Sequence, residues 1–323
     1  SGSVDAYFRT NLNGLNKFEF DEDGDVIAAP EAPLSSFAND PGFAIGMANV
    51  KLGYSGEKVG FVADLVFGPR GEDAVFNSFG SPAIVNQLYA YWNVSDKVTL
   101  TMGNFNTYLG YEVISPVGNF HYSTSYMFSY GPFSHTGIKA NFALNDSWSA
   151  MLAIMNPTDF TDFNPFGLYT FGGQLGYAND NGSAYLNLLY GEQAPDSDAT
   201  FQIDLTTGWN LSEKFYLGLN TTYNTTDGAG FYGAALYPKL QTSENFAIGL
   251  RAEYFKILED GGPIYGPDVD ILDFTLTGSY TVGNLTLKPE LRLDKVSEDV
   301  FLDSDLNFQD NLSSFVLAAI YAF

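Results

Sequence analysis

The sequence predicts an all-β protein: a transmembrane antiparallel β-barrel of sixteen strands, formed by residues 1–323 as a single domain. Three observations predict it. Hydrophobicity alternates with a period of two along most of the chain, connections between the alternating runs are short and long in turn, and one of the two alternating faces is apolar and almost free of charge.

The first strand spans 3–11 and the second 43–54, followed by runs at 59–68, 83–93, 98–106, 133–144, 147–156 and 168–178. The second half continues with 183–191, 199–210, 214–225, 230–240, 245–256, 269–281, 285–295 and 312–323. The run Phe215–Asn224 shows the pattern: Phe215, Leu217, Leu219, Thr221 and Tyr223 on one side, Tyr216, Gly218, Asn220, Thr222 and Asn224 on the other. Short links at 55–58, 94–97, 145–146, 179–182, 211–213, 241–244 and 282–284 are mostly rich in Asn, Asp, Ser and Gly, as tight hairpins require. Longer links fall at 12–42, 69–82, 107–132, 157–167, 192–198, 226–229, 257–268 and 296–311. An even strand number with short turns at one rim and mostly longer loops at the other is the pattern of an outer-membrane barrel with periplasmic turns and extracellular loops.

Composition removes the competing classes. The 323 residues include no cysteine, so disulfide scaffolds and thiolate metal sites are excluded. A net charge of -24, from 14 Lys and Arg against 38 Asp and Glu, argues against nucleic acid as a partner. Twenty-eight Phe and 21 Tyr argue against disorder. The longest uncharged window, Val113–Ile138, is interrupted throughout by Gly, Ser, Asn, His and Pro, so it is not a membrane helix. The chain opens Ser-Gly-Ser without Met, as a processed terminus would.

The two faces decide where the barrel sits. Ala48, Val50, Leu52 and Tyr54, then Val59, Phe61, Ala63, Leu65 and Phe67, and finally Phe315, Leu317, Ala319, Tyr321 and Phe323 share the apolar face. Its charges, Lys256, Asp270 and Lys295, fall at strand ends, where a lipid-facing charge costs far less than at the midplane. The other face carries Arg9, Lys51, Asp64, Lys139, Asp204, Arg251, Glu253, Asp273, Lys288, Glu290 and Arg292, which are expected to line a water-filled lumen. Trp92, Trp148 and Trp209 fall on the apolar face at the short-turn rim and, with the terminal Phe323, predict a membrane-interface girdle. Pro238 and Pro289 sit inside strands, each removing a ladder donor, so a bulge or a local gap is expected there. A terminal aromatic on the closing strand implies the barrel assembly machinery as a partner, beside outer-membrane lipid and lipopolysaccharide.

The stretch Met102-Gly-Asn-Phe-Asn-Thr-Tyr-Leu-Gly-Tyr-Glu112, followed by Ser123-Thr-Ser-Tyr-Met-Phe-Ser-Tyr-Gly-Pro-Phe-Ser-His-Thr-Gly137, resembles segments of the OmpL-like β-barrel porin family. Asn104 stands where that family usually has Lys. The resemblance implies a porin-like channel in the outer membrane of a Gram-negative bacterium, passing small hydrophilic solutes and ions. It also implies that loop 107–132 folds into the lumen as a constriction, with Tyr111, Glu112, His121, Tyr122 and Tyr126 as its candidate residues. The alternative is an extra hairpin over 119–128, giving eighteen strands. A homotrimer rests on the same analogy.

Other chemistries are weaker. Among the two histidines, His121 with Ser123 is the best candidate for nucleophilic catalysis, yet no orienting acid accompanies it, so no enzyme activity is expected. Asp21, Asp23 and Asp25 could wrap calcium, but Gly24 comes fourth rather than sixth, and a solvated acidic loop explains them; no other cofactor is implied. A solute-selective channel, for a sugar for example, and a non-conducting barrel that scaffolds a surface complex are the alternative functions. On this strand assignment seven acids (Asp5, Asp64, Asp204, Glu253, Asp273, Glu290 and Asp294) and seven bases (Arg9, Lys51, Lys139, Lys239, Arg251, Lys288 and Arg292) face inward. The whole excess of negative charge then lies outside the pore wall, most of all at 19–40, 259–270 and 298–310.

Overall fold

Sixteen strands close into one antiparallel barrel in a computed structural model, which describes residues 1–78, 80–258 and 265–323. They are β1 (Gly2–Asn11), β2 (Gly42–Ser55), β3 (Val59–Phe67), β4 (Val85–Ser95), β5 (Val98–Asn106), β6 (Ser134–Ala143), β7 (Trp148–Met155) and β8 (Thr170–Asn179). The circuit continues with β9 (Gly182–Glu192), β10 (Ala199–Asn210), β11 (Phe215–Thr226), β12 (Ala229–Gln241), β13 (Phe246–Ile257), β14 (Asp270–Val282), β15 (Leu285–Val296) and β16 (Asn311–Ala322). Each strand pairs with its sequence neighbour, and β1 closes on β16. The residues 259–264 of the expected acidic rim lie outside the described residues.

Turn chemistry explains the short-turn rim. Asn145 and Asn179 each accept two backbone N–H bonds, from Ser147 and Trp148 and from Asn181 and Gly182, closing their hairpins locally. The link after β11 is as tight as these although it lies on the long-loop rim: Asp227 and Gly228 take φ of 47° and 91°, as a primed two-residue turn demands. Pro238 and Pro289 each leave a local gap without a register shift. Pairing of β12 with β13 breaks between Leu236 and Lys239, and pairing of β14 with β15 breaks at Gly278 opposite Pro289.

The outward face is apolar around the circuit, with Leu52, Phe61, Leu88, Leu152, Leu175, Leu236, Leu276, Leu291 and Leu317 all exposed. Trp92 and Trp148 are exposed on that face, and Trp148, Tyr177 and Trp209 form a chain of rings with centroids 5.0 and 6.3 Å apart. Phe323 lies at the same rim, exchanging backbone hydrogen bonds with Gly2. The outward Lys256 is neutralised at its strand end by Asp268 and Asp270, at 2.6 and 2.8 Å.

The packed core lies inside the barrel, not in its wall. Tyr126 and Met127 from the third long loop pack with Phe231, Tyr237, Phe255, Ile271, Val296 and Leu312, which all point inward from β12–β16. Ile114 and Phe128 join Met47, Val66, Ala74 and Val75, the last two in or just after the helix α1 (Pro69–Ala74). No extra hairpin forms over 119–128: the segment is irregular and ends in one short helix, α2 (Tyr126–Tyr130). Burial of this uncharged stretch against inward aromatics is what favours it over a strand pair at the rim.

Candidate functional site

Loop 107–133 enters the lumen and is held there by the charges of the barrel wall. At the centre is Arg251 on β13. Its Nε donates to Asp273 at 2.8 Å, its Nη1 to Glu112 at 3.0 Å and to the Ser123 carbonyl at 2.7 Å, and its Nη2 to Thr275 at 3.0 Å. Arg292 grips Asp294 at 2.8 Å and donates to the Thr124 carbonyl at 2.7 Å. Lys288 donates to the carbonyls of Pro116 and Asn119 at 3.0 and 2.6 Å.

The carboxylates take the loop's amides. Glu290 accepts from the backbone of Tyr122 and Ser123 and from the Ser123 hydroxyl. Glu253 accepts from the backbone of Tyr126 and Met127, both at 2.8 Å, which are the first two N–H groups of α2. Helix starts leave such donors orphaned, so a carboxylate there satisfies hydrogen bonding and the helix dipole together. Ser125 supplies the N-cap, accepting from Phe128 N, while its own N–H goes to Glu112 at 2.7 Å. Cations on carbonyls and anions on amides thus fix the loop backbone from Pro116 to Met127.

This arrangement corrects the expectation that the inward charges line water. Arg9, Asp64, Asp204, Arg251, Glu253, Asp273, Lys288, Glu290 and Arg292 are all buried, none more than 5% exposed. Arg9 is spent on the first loop, donating to the carbonyls of Glu31 and Asn39. Asp64 is surrounded by Asn49, Asn86 and Gln87, and Asp204 by Asn187, Asn220 and the amide of Gly110. Of the eleven, Lys51 is exposed and Lys139 half-buried. Burial of charge demands partners, and the loop backbone supplies them.

The predicted loop residues divide by position. Glu112, His121, Tyr122 and Tyr126 are buried in the docked face of the loop. His121 Nδ1 lies 2.7 Å from the Thr277 hydroxyl; burial first, and then the Arg251 guanidinium, hold its pKa well below the usual imidazole range. Ser123 is bonded to Glu290 and His121 to Thr277, so no nucleophile–base pair forms between them. Tyr111 is different: half-buried, stacked on Tyr237 at 4.2 Å and bonded to the Tyr216 hydroxyl at 2.7 Å. With Glu112 it lines both a cavity of about 380 Å³ toward the short-turn rim and a smaller space of about 70 Å³ on the other side.

Several docking residues escaped sequence reasoning. Arg70 on α1 is buried, with Nε on the Ile114 carbonyl at 2.7 Å and Nη1 on that of Tyr122 at 2.9 Å. Glycines at lumen-facing positions make room for the loop: a Cβ at Gly249 would lie 2.4 Å from the Phe120 ring, and one at Gly218 would lie 2.4 Å from the Tyr111 hydroxyl. The available signal was the inward parity of Phe231, Phe255, Ile271 and Leu312, which a water-filled lumen does not need. At the loop's end, Asp159 accepts from the amides of Phe133 and Ser134 at 2.7 and 2.9 Å, and burial pushes its pKa up to about 6. In the first loop the Asp21 carboxylate accepts from the amides of Asp23 and Asp25. Among the described residues, no three His or acidic side chains converge on a metal position.

An apolar belt around a closed strand circuit, with a polar interior that inserted connections enter, defines a membrane-spanning β-barrel of the outer-membrane class. Residues 1–323 match the family described as putative beta-barrel porin-2, OmpL-like, and the chain belongs to it. Comparison with curated proteins gives no match. Among solved structures the chain is similar to Pseudomonas putida OprB, with 11% identity and a TM-score of 0.66 over 100% of this chain and 93% of that one. It is also similar to an anion-selective porin from Comamonas acidovorans, with 13% identity and a TM-score of 0.58 over 100% and 99% of the two chains. The trimer form of Vibrio cholerae OmpT aligns at 9% identity with a TM-score of 0.58 over 100% and 98%. At such identities the likeness is one of fold. The chain is thus an outer-membrane, multi-pass barrel of a porin family, which points to a channel and not to an enzyme.

Proposed function

We propose that the protein is a passive diffusion channel for small hydrophilic solutes and ions, narrowed by loop 107–133, with a negatively charged extracellular mouth. The observation that carries this reading is Tyr111. It stands between two spaces inside a closed barrel, on a loop clamped from behind by Arg251, Glu253, Lys288 and Glu290. A clamp of this kind fixes a constriction while leaving its free edge to set the bore.

The mouth follows from where the acids fall. Glu19, Asp21, Glu22, Asp23, Asp25, Glu298, Asp299, Asp303 and Asp305 lie in the connections of the long-loop rim, where Lys17 and Lys295 provide little compensation. Such a rim concentrates cations at low salt, and the effect fades as the Debye length falls below about 10 Å. A trimer, by analogy with the trimer form of OmpT, is checked by the mass of the detergent complex. The function itself is tested in planar bilayers: discrete, ohmic steps that persist without any energy source are expected. Absence of conductance in both the native protein and a Tyr111→Ala variant would favour the surface-scaffold alternative.

A further inference from the structure

The inward charges divide into a buried set and a partly exposed one. All seven inward acids are buried, and so are Arg9, Arg251, Lys288 and Arg292, each hydrogen-bonded to loop or wall. Lys51, Lys139 and Lys239 are not buried, and among the described residues none of the three has a carboxylate within ion-pair distance. All three lie within a few residues of a short turn. The charge that meets water inside the barrel is therefore positive and sits in the short-turn half.

Lys239 also borders the cavity of about 380 Å³, which places it apart from the other two. The cavity is lined by Phe120, Tyr216 and the stacked pair of Tyr111 and Tyr237, with Asn119 and His121 among its polar groups. The Lys239 ammonium lies 4.8 Å from the Tyr216 ring centre and 5.8 Å from that of Phe120. The Phe120 ring occupies the space above Gly249. The one carboxylate in the lining, Glu112, is already committed to Arg251 and to the Ser125 amide. It therefore leaves the Lys239 ammonium with ring faces beside it but no carboxylate partner.

We propose that this cavity binds small aromatic carboxylates, with the carboxylate on Lys239 and the ring against the aromatic walls. The volume falls within the usual range for small-molecule sites and exceeds what a simple inorganic anion fills. One ammonium matches a monoanion, and apolar ring walls match a planar body; an uncharged sugar would leave the ammonium unpaired. The site deepens the channel reading above, since it would hold such a solute beside Tyr111 on its way through, but binding itself does not require conduction.

The test is calorimetric titration of benzoate into the full-length protein in detergent micelles. Saturable one-site binding is expected, weakened roughly tenfold or more in Lys239→Gln, retained in Lys239→Arg, and unchanged in Lys51→Gln. Acetate and glucose are expected not to bind measurably. No saturable benzoate binding, equal binding by Lys239→Gln, or acetate or glucose binding as tightly as benzoate would overturn the proposal. Benzoate binding in a protein that forms no channel would leave the site standing and remove the channel reading instead.

Discussion

Removing the Arg251 guanidinium should release the constriction loop. Arg251→Met keeps an unbranched apolar stem like the aliphatic part of the arginine but strips Glu112 and Asp273 of their shared cation. Breaking a buried ion pair costs about 3–5 kcal/mol, chiefly because the remaining charge is left uncompensated. The lower end applies here: Asp273 keeps Arg292 at 3.7 Å and a hydrogen bond from Thr275, and Glu112 keeps the Ser125 amide. About 3 kcal/mol shifts the docked-to-released equilibrium roughly a hundredfold. The barrel ladders are untouched, so the change should stay local. Hydrogen exchange resolved at the amides of Tyr122, Ser123, Ser125, Tyr126 and Met127 reads it directly. These amides should exchange about a hundredfold faster in the variant while the amides of β13–β15 keep their protection. Adding Glu112→Gln should restore part of the protection by removing one stranded charge. Unchanged exchange at these five amides in a folded Arg251→Met protein would refute the clamp.

Four further outcomes are expected. Gly249→Leu drives a side chain into the Phe120 ring and should destabilise the docked loop by about 1–3 kcal/mol, seen as faster exchange at Asn119 and Phe120. Because burial raises the Asp159 pKa to about 6, its docked position is most stable at low pH and loses stability as pH rises from about 4 through 6, the cost of burying the charge outweighing the stronger bonds that the ionised group accepts from the Phe133 and Ser134 amides; exchange at these amides, corrected for its intrinsic pH dependence, should show this. Asp159→Asn, which keeps an acceptor oxygen but cannot ionise, should flatten that dependence. Leu276→Arg, in the middle of the outward face of β14, should cost about 2–4 kcal/mol in denaturant titrations in lipid, whereas Val282→Arg at the rim should cost about 0–1 kcal/mol. Replacing Asp21, Glu22, Asp23 and Asp25 by their amides should reduce cation preference in reversal-potential measurements at low salt, with the difference vanishing near molar salt.

The strands were legible because each carries its own evidence. Alternation in 199–210 and 214–225, bounded by Asn and Ser turns, needs no distant partner to be recognised, and β10 and β11 form over almost those residues. The site was legible only in part. Parity correctly puts Arg251, Glu253 and Glu290 on the inward face, but whether an inward charge meets water or a loop depends on residues more than a hundred positions away. The apolar residues that share this face, Phe231, Phe255 and Ile271, carried the missing information. A lumen filled only with water gives them nothing to pack against. Arg70 was unreadable for the same reason, since its partners, the carbonyls of Ile114 and Tyr122, are backbone atoms brought to it by the fold.

The absence of cysteine makes one experiment unusually clean. In planar bilayers, Tyr111→Cys should conduct more than the native protein, because the ring between the two spaces is gone. Conductance should then fall to or below the native level when that single thiol is labelled with a bulky methanethiosulfonate. Equal conductance in the native, cysteine and labelled proteins would contradict a constriction at Tyr111.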